Sequence, residues 1–433
     1  MTTTKQIGLI SCIGIVAGNM MGSGIALLPA NLASIGSIAV IGWAIALIGA
    51  ISLAYVYSRL AVKDPEEGGP IAYAGQVSKI LGFQTGALYY HANWIGNLAI
   101  VITAVTYLSI FFPSLNTPIP AAIVSFIIIW IFTGLNLLGA SWISKLTTIG
   151  VVLILIPVIG TAIFGWFWFD KATYMSNWNV SHHPDYKAVM NATLLCLWAF
   201  IGVESASVSS SLVKNPKRTV PIATMLGTLI AGVVYISATQ VINGMYPAAT
   251  MAASGAPFSM TASTMLGNWA GPVVSVFTAI ACLTSLGSWM MLVGQAGARA
   301  AHDGNFPKIY GEIDKKSGIP KKGLILSAIQ MSILLVIVTA MNLEGGTSAS
   351  IFGEIISIAV LLTMLPYFYS CIDLIRMDGV NTKNILSLIT ALLGCIFCFI
   401  AIMGSNSIEL AGTFIVSLII LIFYTAKKSK VNS

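Results

Sequence analysis

A glycine-rich segment interrupts the first long apolar run of the chain, at Gly22, Ser23 and Gly24. A helix that is broken at bilayer depth leaves backbone amides and carbonyls unpaired, and lipid cannot satisfy them. The amides that follow the break, from about Gly24 onward, favour a carboxylate because they lie at the positive end of a helix dipole. The carbonyls before it, near Ala17 to Met20, favour an ammonium group. This chemistry fits an α-amino acid, and close helix packing through small residues is the alternative.

A glutamate lies inside a second interrupted apolar run, where Glu204 stands within residues 200–207. An acid at the centre of a membrane helix costs about 2.5–3.5 kcal/mol, and no Lys or Arg lies in the middle of any apolar run. The acid can therefore hold a proton or pair with a transported cation. A structural carboxyl bonded to a backbone carbonyl is the alternative. Glu354 is a second acid inside an apolar run, closer to its end.

Amides and aromatic rings complete the candidate site. Tyr89, Asn93 and Asn97 recur every four residues, so they share one helix face. The amide oxygens can accept hydrogen bonds from an ammonium group. Trp198 and Trp289 can bind a cation through their ring faces, although packing is the alternative for each ring. We expect packing or an interface position for four further residues, namely Trp43, His91, Tyr367 and Tyr369.

The composition requires a membrane protein to position these residues. Of 433 residues, 57% are hydrophobic and 8% are charged, whereas a soluble domain has about 25% charged residues. The mean hydropathy is +0.90. A membrane span needs roughly 20 mostly apolar residues. The sequence predicts about twelve spans, near 7–34, 38–60, 82–112, 119–138, 142–168, 188–210, 220–242, 270–300, 323–342, 348–376, 383–403 and 407–426. Tyr73 lies between the second and third spans, where we expect a half-buried connector, and Asp303 and Asp373 lie at span ends, where we expect gate or loop charges.

The distribution of positive charge predicts the orientation. All of the 21 Lys and Arg residues except Lys171 and Lys187 fall on one side of the predicted spans. Because positively charged loops remain in the cytoplasm, both termini are expected there. The net charge of +7 then reflects topology and contact with anionic membrane lipid, and nucleic acid is not expected. The six cysteines lie in or beside apolar runs, and we expect neither disulfides nor a metal site from them.

The two interrupted runs are five spans apart, so the helices that carry them cross the membrane in opposite directions. This arrangement predicts an inverted repeat of five spans, with the ligand site at the midplane between the two breaks. The expected fold is an all-α polytopic membrane protein of 12 transmembrane helices in which helices 1 and 6 are broken. It forms a single transporter domain over 1–433, with repeats at about 7–168 and 188–376 and two extra helices at about 383–426.

Four segments resemble the basic amino acid/polyamine antiporters of the amino acid–polyamine–organocation superfamily. They are GNMMGSGIALLPAN at 18–31, WIGN at 94–97, FIGVESA at 200–206 and VKNPKRTVP at 213–221. The resemblance covers essentially the whole chain and implies a LeuT-like fold. Residues 88–94 and 318–323 are most similar to the branch of this family that exchanges lysine for cadaverine.

The resemblance implies a secondary transporter and not an enzyme, with no cofactor. External lysine would exchange for internal cadaverine, which exports net positive charge and gives acid resistance. At neutral pH, relatives of this kind also take up cadaverine with protons. Ornithine/putrescine or arginine/agmatine exchange in the same fold is the alternative. A receptor would need a sensor domain, and no loop is large enough for one. The resemblance also implies a bacterial inner membrane location and allows a homodimer.

The resemblance assigns roles to residues at matching positions. Gly22, Ser23 and Gly24 would bind the substrate carboxylate, and the carbonyls of Met20 and Ile201 would bind the α-ammonium. Ala92, Asn93 and Asn97 would surround the distal amine, and Trp198 and Trp289 would stack on the aliphatic chain. Glu204 is also expected at the substrate site. Glu204 would also act as the proton site or a gate. Further residues expected to act in gating or transport are Tyr73, Tyr89, Tyr90, Tyr235, Asp303 and Tyr424.

Overall fold

The computed structural model describes residues 8–21, 24–63, 69–138, 140–204, 214–302, 304, 306–314, 318–343 and 348–431, and within these ranges all regular elements are helices. The α-helices, in chain order, are α1 (Leu9–Met21), α2 (Leu28–Ala33), α3 (Ala39–Lys63), α4 (Pro70–Val77), α5 (Lys79–Leu108), α6 (Pro118–Leu138), α7 (Ala140–Phe164), α8 (Lys171–Ser176), α9 (Asp185–Trp198), α10 (Pro216–Met245), α11 (Ala248–Ala252), α12 (Pro257–Leu266), α13 (Ala270–His302), α14 (Lys321–Met341), α15 (Ser348–Asp378), α16 (Ile385–Met403) and α17 (Ser407–Val431).

Eight helical segments in the described part of the chain are long and apolar enough to cross a membrane. They are Ala39–Lys63, Pro118–Leu138, Ile149–Trp168, Lys217–Met245, Ala270–His302, Lys321–Met341, Ile351–Asp378 and Thr382–Met403. Their lipid-facing sides carry large exposed apolar residues, such as Ile123 on α6 and Ile333 on α14. The chain is therefore a multi-pass membrane protein, as its composition predicts.

The first break separates α1 from α2. Helix α1 ends at Met21, residues 24–27 form turns, and α2 begins at Leu28 with Pro29 in its first turn. The expectation that the second half-helix begins at about Gly24 is therefore wrong by four residues. Pro29 explains the later start, because proline is favoured in the first turn of a helix, where no hydrogen bond from its nitrogen is needed. Gly22 and Ser23 lie outside the described residues.

The second break follows α9, which ends at Trp198. The chain continues through turns to Glu204, with backbone bonds from Phe200 N to Leu197 O (2.9 Å) and from Val203 N to Phe200 O (3.2 Å). Gly202 has a φ of +104°, a conformation that side chains with a Cβ rarely adopt. The helix is thus interrupted at the predicted place, while 205–207 lie outside the described residues.

The two breaks touch. A Cβ added to Gly24 would lie 3.4 Å from the Cα of Ala199, the first residue after α9, and 3.2 Å from the carbonyl oxygen of Met20. Helix α5 packs against both α13 and α15, and these helices enclose the region where the breaks meet. Glycine at this point allows the two backbones to approach closely.

Two residues, Tyr107 and Asn177, hold the first break and the segment that follows α2. The Tyr107 hydroxyl on α5 donates to the carbonyl of Ala26, in the turn before α2, at 2.8 Å. Asn177, which follows α8, donates through Nδ2 to the carbonyls of Asn243 and Tyr246, and its own carbonyl accepts from the amide of Ser37 at 2.8 Å. The segment between α2 and α3 is thereby tied to the end of α10.

Helix α8 has an ordinary polar cap. The Asp170 carboxylate accepts hydrogen bonds from the hydroxyl and the amide of Thr173, each at 2.7 Å. These bonds hold the pKa of the Asp170 carboxyl below its usual value. Asp170 is a favoured residue type at this position because its side chain satisfies an amide that lacks a partner within the helix.

Two sequence expectations need correction. Tyr73 was expected on a half-buried connector, but it is fully buried on α4, a helix of eight residues that begins at Pro70. Glu354 lies inside the apolar segment Ile351–Asp378 and near its end, as expected, with an exposed side chain. Asp373, expected as a gate or loop charge, is a fully buried residue of α15 whose carboxylate contacts the Arg376 guanidinium at 2.9 Å.

Candidate functional site

A small cavity lies where the two breaks meet α5, α13 and α15. Its volume is about 30 Å³, which holds roughly one or two water molecules. Most of the predicted substrate-binding residues line it, namely Met20, Gly24, Ala92, Asn93, Asn97, Trp198, Ile201 and Trp289. Three residues that sequence reasoning missed also line it, namely Gly96, Ile100 and Thr363.

Two amides form the polar face of the cavity. Asn93 donates through Nδ2 to the carbonyl of Tyr89, one helical turn earlier, at 2.6 Å. This bond uses the NH₂ group and leaves the amide oxygen as an acceptor. Asn97 is buried, and its Nδ2 has no hydrogen-bond partner among the described residues. A buried donor without a partner is costly, so this side of the cavity is suited to a polar ligand.

Two tryptophans form the apolar wall. The Trp198 ring lies over Gly96, where an added Cβ would come within 2.9 Å of its Cη2 atom. The ring also makes an edge contact with Phe352 on α15, with centroids 6.4 Å apart. Trp289, on α13, is partly buried.

Glu204 lies next to the cavity lining without being part of it. Its carboxylate is buried and accepts hydrogen bonds from the hydroxyl of Tyr89 on α5 (2.9 Å) and from that of Tyr367 on α15 (3.1 Å). Tyr89 therefore contacts Asn93 through its backbone and Glu204 through its side chain. Tyr89 thus links the Glu204 carboxylate to the amide face of the cavity.

The expectation of plain packing for Tyr367 is wrong, because its hydroxyl binds Glu204. The sequence does contain a signal for this role. Thr363 and Tyr367 are four residues apart on α15, and Asn93, Gly96, Asn97 and Ile100 recur on one face of α5. On α5 the face that carries the two predicted amides also carries the missed Gly96 and Ile100, whereas on α15 both Thr363 and Tyr367 were missed and only their spacing places them together.

The predicted gating residues Tyr73, Tyr89, Tyr90 and Tyr235 are not among the described residues that line the cavity. Tyr235 packs against Trp43 and Phe200, behind the second break, with ring centroids 5.6 and 5.8 Å away. Tyr90 donates to Gln330 at 2.6 Å.

The rings of Phe306 and Tyr310 pack against Tyr90 beyond the end of α13. The Tyr73 ring packs against that of Tyr57, with centroids 6.2 Å apart. Asp303 lies outside the described residues, and Tyr424 lies in α17 at a position whose side chain is likewise outside them.

The described part of the chain offers no obvious metal centre, since no three His, Cys, Asp or Glu side chains in it converge. Its polar groups instead suit an organic cation. Two amides, two indole rings and a nearby carboxylate are arranged around a narrow cavity, and a cation can interact with each of these three kinds of group.

Comparison with known proteins gives one family. The model of the amino acid permease family matches residues 7–426. The chain is 68% identical over 427 residues to a cadaverine/lysine antiporter of Escherichia coli K12, covering 99% of this chain and 96% of that protein. It is 31% identical to the putrescine transporter PotE of E. coli K12, covering 93% and 92% of the two chains. It is 33% identical to PotE of Haemophilus influenzae, covering 85% and 83%.

Proposed function

The chain belongs to the amino acid permease family, and on that premise we propose that it exchanges external lysine for internal cadaverine. The observation that carries the proposal is the 68% identity, over nearly the whole chain, to an antiporter named for these two substrates. The relatives named for putrescine are only 31% and 33% identical. Each exchange brings in a monocation and releases a dication, so the cycle exports one positive charge and supports acid resistance.

We propose the full architecture that the sequence predicts. Twelve transmembrane helices form a single domain with two inverted five-helix repeats, at about 7–168 and 188–376, followed by two extra helices. Both termini face the cytoplasm of a bacterial cell, and the protein lies in the inner membrane. The eight apolar segments and the two interrupted helices support this arrangement. A homodimer is compatible with it.

The cavity is the proposed substrate site. The carboxylate of lysine binds at the first break, through Gly22, Ser23 and Gly24, and the carbonyls of Met20 and Ile201 bind the α-ammonium. Contacts between Gly24 and the residues after α9 support this assignment, because they bring the two breaks within reach of one small ligand.

At the other end of the site, Ala92, Asn93 and Asn97 surround the distal ammonium. Trp198 and Trp289 enclose the aliphatic chain, and the remaining transport roles fall to Tyr73, Tyr89, Tyr90, Tyr235, Asp303 and Tyr424. An amide oxygen is a suitable acceptor for a compact ammonium, whereas a flat guanidinium binds best to a planar, bidentate partner. Cadaverine lacks the carboxylate, so the first break is the part of the site that distinguishes lysine from its exchange partner.

Glu204 is the proposed proton site. It is buried beside the amide face and bonded to two tyrosine hydroxyls. Tyr89 connects Glu204 to Asn93 in the cavity lining. A proton that binds to Glu204 therefore removes a negative charge beside the cavity. This supports proton-coupled uptake of cadaverine at neutral pH as a second mode of the same transporter.

Counterflow in proteoliposomes tests the exchange. Vesicles that contain the purified protein are loaded with cadaverine, and labelled lysine, ornithine or arginine is offered outside. We expect lysine to enter in a manner that depends on internal cadaverine, and vesicles loaded with buffer alone serve as the control. Exchange of ornithine for putrescine without lysine uptake would overturn the proposal in favour of the alternative.

A further inference from the structure

Polar side chains follow one face of α15 from the cavity to the end of the helix. Thr363 lines the cavity, Tyr367 binds Glu204, and Ser370 and Asp373 follow at intervals of three residues. Residues three or four apart lie on the same helix face. All four are buried on α15, at 0–2% exposure. Polar groups cost free energy in the interior of a membrane protein, so a continuous row of them points to a function.

A tyrosine from α3 joins this row. The Tyr57 hydroxyl donates to Ser370 Oγ at 3.2 Å, and Ser370 in turn donates to the carbonyl of Pro366 at 3.0 Å. The Tyr57 ring makes an edge contact with that of Tyr367, with centroids 5.7 Å apart. This contact places the two tyrosines side by side, one bonded to Glu204 and the other to Ser370.

We propose that Tyr367, Tyr57 and Ser370 carry protons between Glu204 and the basic end of the bundle, along a route separate from the substrate cavity. The inference rests on the proposed proton-coupled uptake and names its path. A proton that leaves Glu204 passes to the Tyr367 hydroxyl and then, through one water molecule, to that of Tyr57, and each hydroxyl releases its own hydrogen as it accepts the next. Ser370 accepts from Tyr57 and turns its own hydrogen from the Pro366 carbonyl to the Asp373 carboxylate, three residues further on, which releases the proton to solvent. Proton number and charge are conserved at each step, and no oxidant or reductant takes part.

Glu204 can take or release a proton at the start of this route. Both oxygens of the Glu204 carboxylate accept, one from Tyr89 and one from Tyr367. When Glu204 takes a proton, one of its oxygens becomes a donor, and the tyrosine on that side must turn its hydrogen elsewhere. The titratable side chains that face Glu204 are Tyr89 from α5, Tyr367 from α15 and, one ring further, Tyr57 from α3.

The row ends where protons can reach solvent. Asp373 is fully buried, but the side chain of its partner Arg376 is 48% exposed. Helices α3 and α15 end at the same place, where Lys63 and Arg59 pair with Asp378. This is the basic end of the bundle, which the proposed topology places in the cytoplasm.

The test compares two activities of the same reconstituted protein. Proton influx that accompanies cadaverine uptake is measured with a pH-sensitive dye inside the vesicles, and lysine–cadaverine counterflow is measured at a fixed pH. We expect Tyr57→Phe and Ser370→Ala to lower proton-coupled uptake by about tenfold or more, since a positioned proton-transfer group is lost. Counterflow should stay within twofold of the wild type.

Ser327→Ala is the matched control. Ser327 is also a buried serine that donates to a carbonyl of its own helix, that of Leu324 at 2.8 Å, but no tyrosine donates to it in the described hydrogen bonds. Correct folding of each variant is checked by a cadaverine-dependent rise in melting temperature. Proton-coupled uptake that equals the Ser327→Ala control, or that falls by the same factor as counterflow, would overturn the route. A wild-type protein without any counterflow would overturn the proposed function instead.

Discussion

Adding a single methyl group at Gly96 is expected to weaken the binding of both substrates. The Cβ of Gly96→Ala would lie 2.9 and 3.1 Å from two ring atoms of Trp198. Ordinary contact begins at 3.4 Å, so the ring must move by about half an ångström or turn away. Trp198 lines the cavity, so a displaced ring would take up space in the proposed substrate site.

The size of the effect follows from the packing. Inserting a methyl group into a well-packed interior costs about 1–3 kcal/mol. Because about 1.4 kcal/mol corresponds to a tenfold change in an equilibrium constant, the affinity should fall by about five- to 140-fold. The loss should be similar for lysine and cadaverine, since the proposed site places the aliphatic chain that both share beneath the Trp198 ring.

Counterflow at varied external concentration gives the apparent KM for each substrate. Gly134→Ala is the matched control, because a Cβ at this helical glycine of α6 would meet nothing within 4 Å. We expect its KM to match that of the wild type. Two results would refute the reasoning for Gly96→Ala in a folded protein: a KM within twofold of the wild type, or a rise for lysine without a rise for cadaverine.

Three further substitutions test other parts of the site. Asn93→Ala should raise the KM for lysine and cadaverine by about tenfold or more, because a hydrogen bond to a charged group contributes about 1.5–3 kcal/mol; an unchanged KM in counterflow would exclude Asn93 from the site. Glu204→Gln should remove the pH dependence of transport and behave at neutral pH like the acidified wild type, since glutamine mimics the protonated form; a pH profile that still follows the wild type would contradict this. Asp378→Asn should lower the free energy of unfolding by about 1–2 kcal/mol, less than for a fully buried ion pair because Lys63 and Arg59 are partly exposed. Thermal unfolding in detergent measures this loss, and an unchanged midpoint would show that the ion pairs contribute little.

The sequence predicts the elements of the site well because membrane helices leave strong signals. A break of the kind at 18–24, or an acid such as Glu204, has few explanations within an apolar run. The four-residue spacing of Asn93 and Asn97 likewise places both amides on one face of α5, and both line the cavity. The roles of these residues in transport stay predictions.

Other features depend on contacts between helices, which a single sequence does not contain. The sequence does not show why residue 96 is a glycine, because the reason is the Trp198 ring that lies over it. The hydroxyl of Tyr367 was expected at an interface, whereas the approach of α15 to the second break places it on Glu204. Glu354 lies inside a span, as expected, but the exposure of its side chain near the start of α15 depends on what packs against that helix.

Tyr89 makes occupancy and protonation reciprocal. One residue holds the amide of Asn93 through its carbonyl and the carboxylate of Glu204 through its hydroxyl. If the ligand and the proton bind where we propose, a ligand that repositions Asn93 also shifts Tyr89, and with it the proton affinity of Glu204. Thermodynamic linkage requires the converse to the same degree, so a proton on Glu204 must change ligand affinity by the same factor. Proton release on ligand binding and the pH dependence of the dissociation constant are therefore two measurements of one coupling free energy.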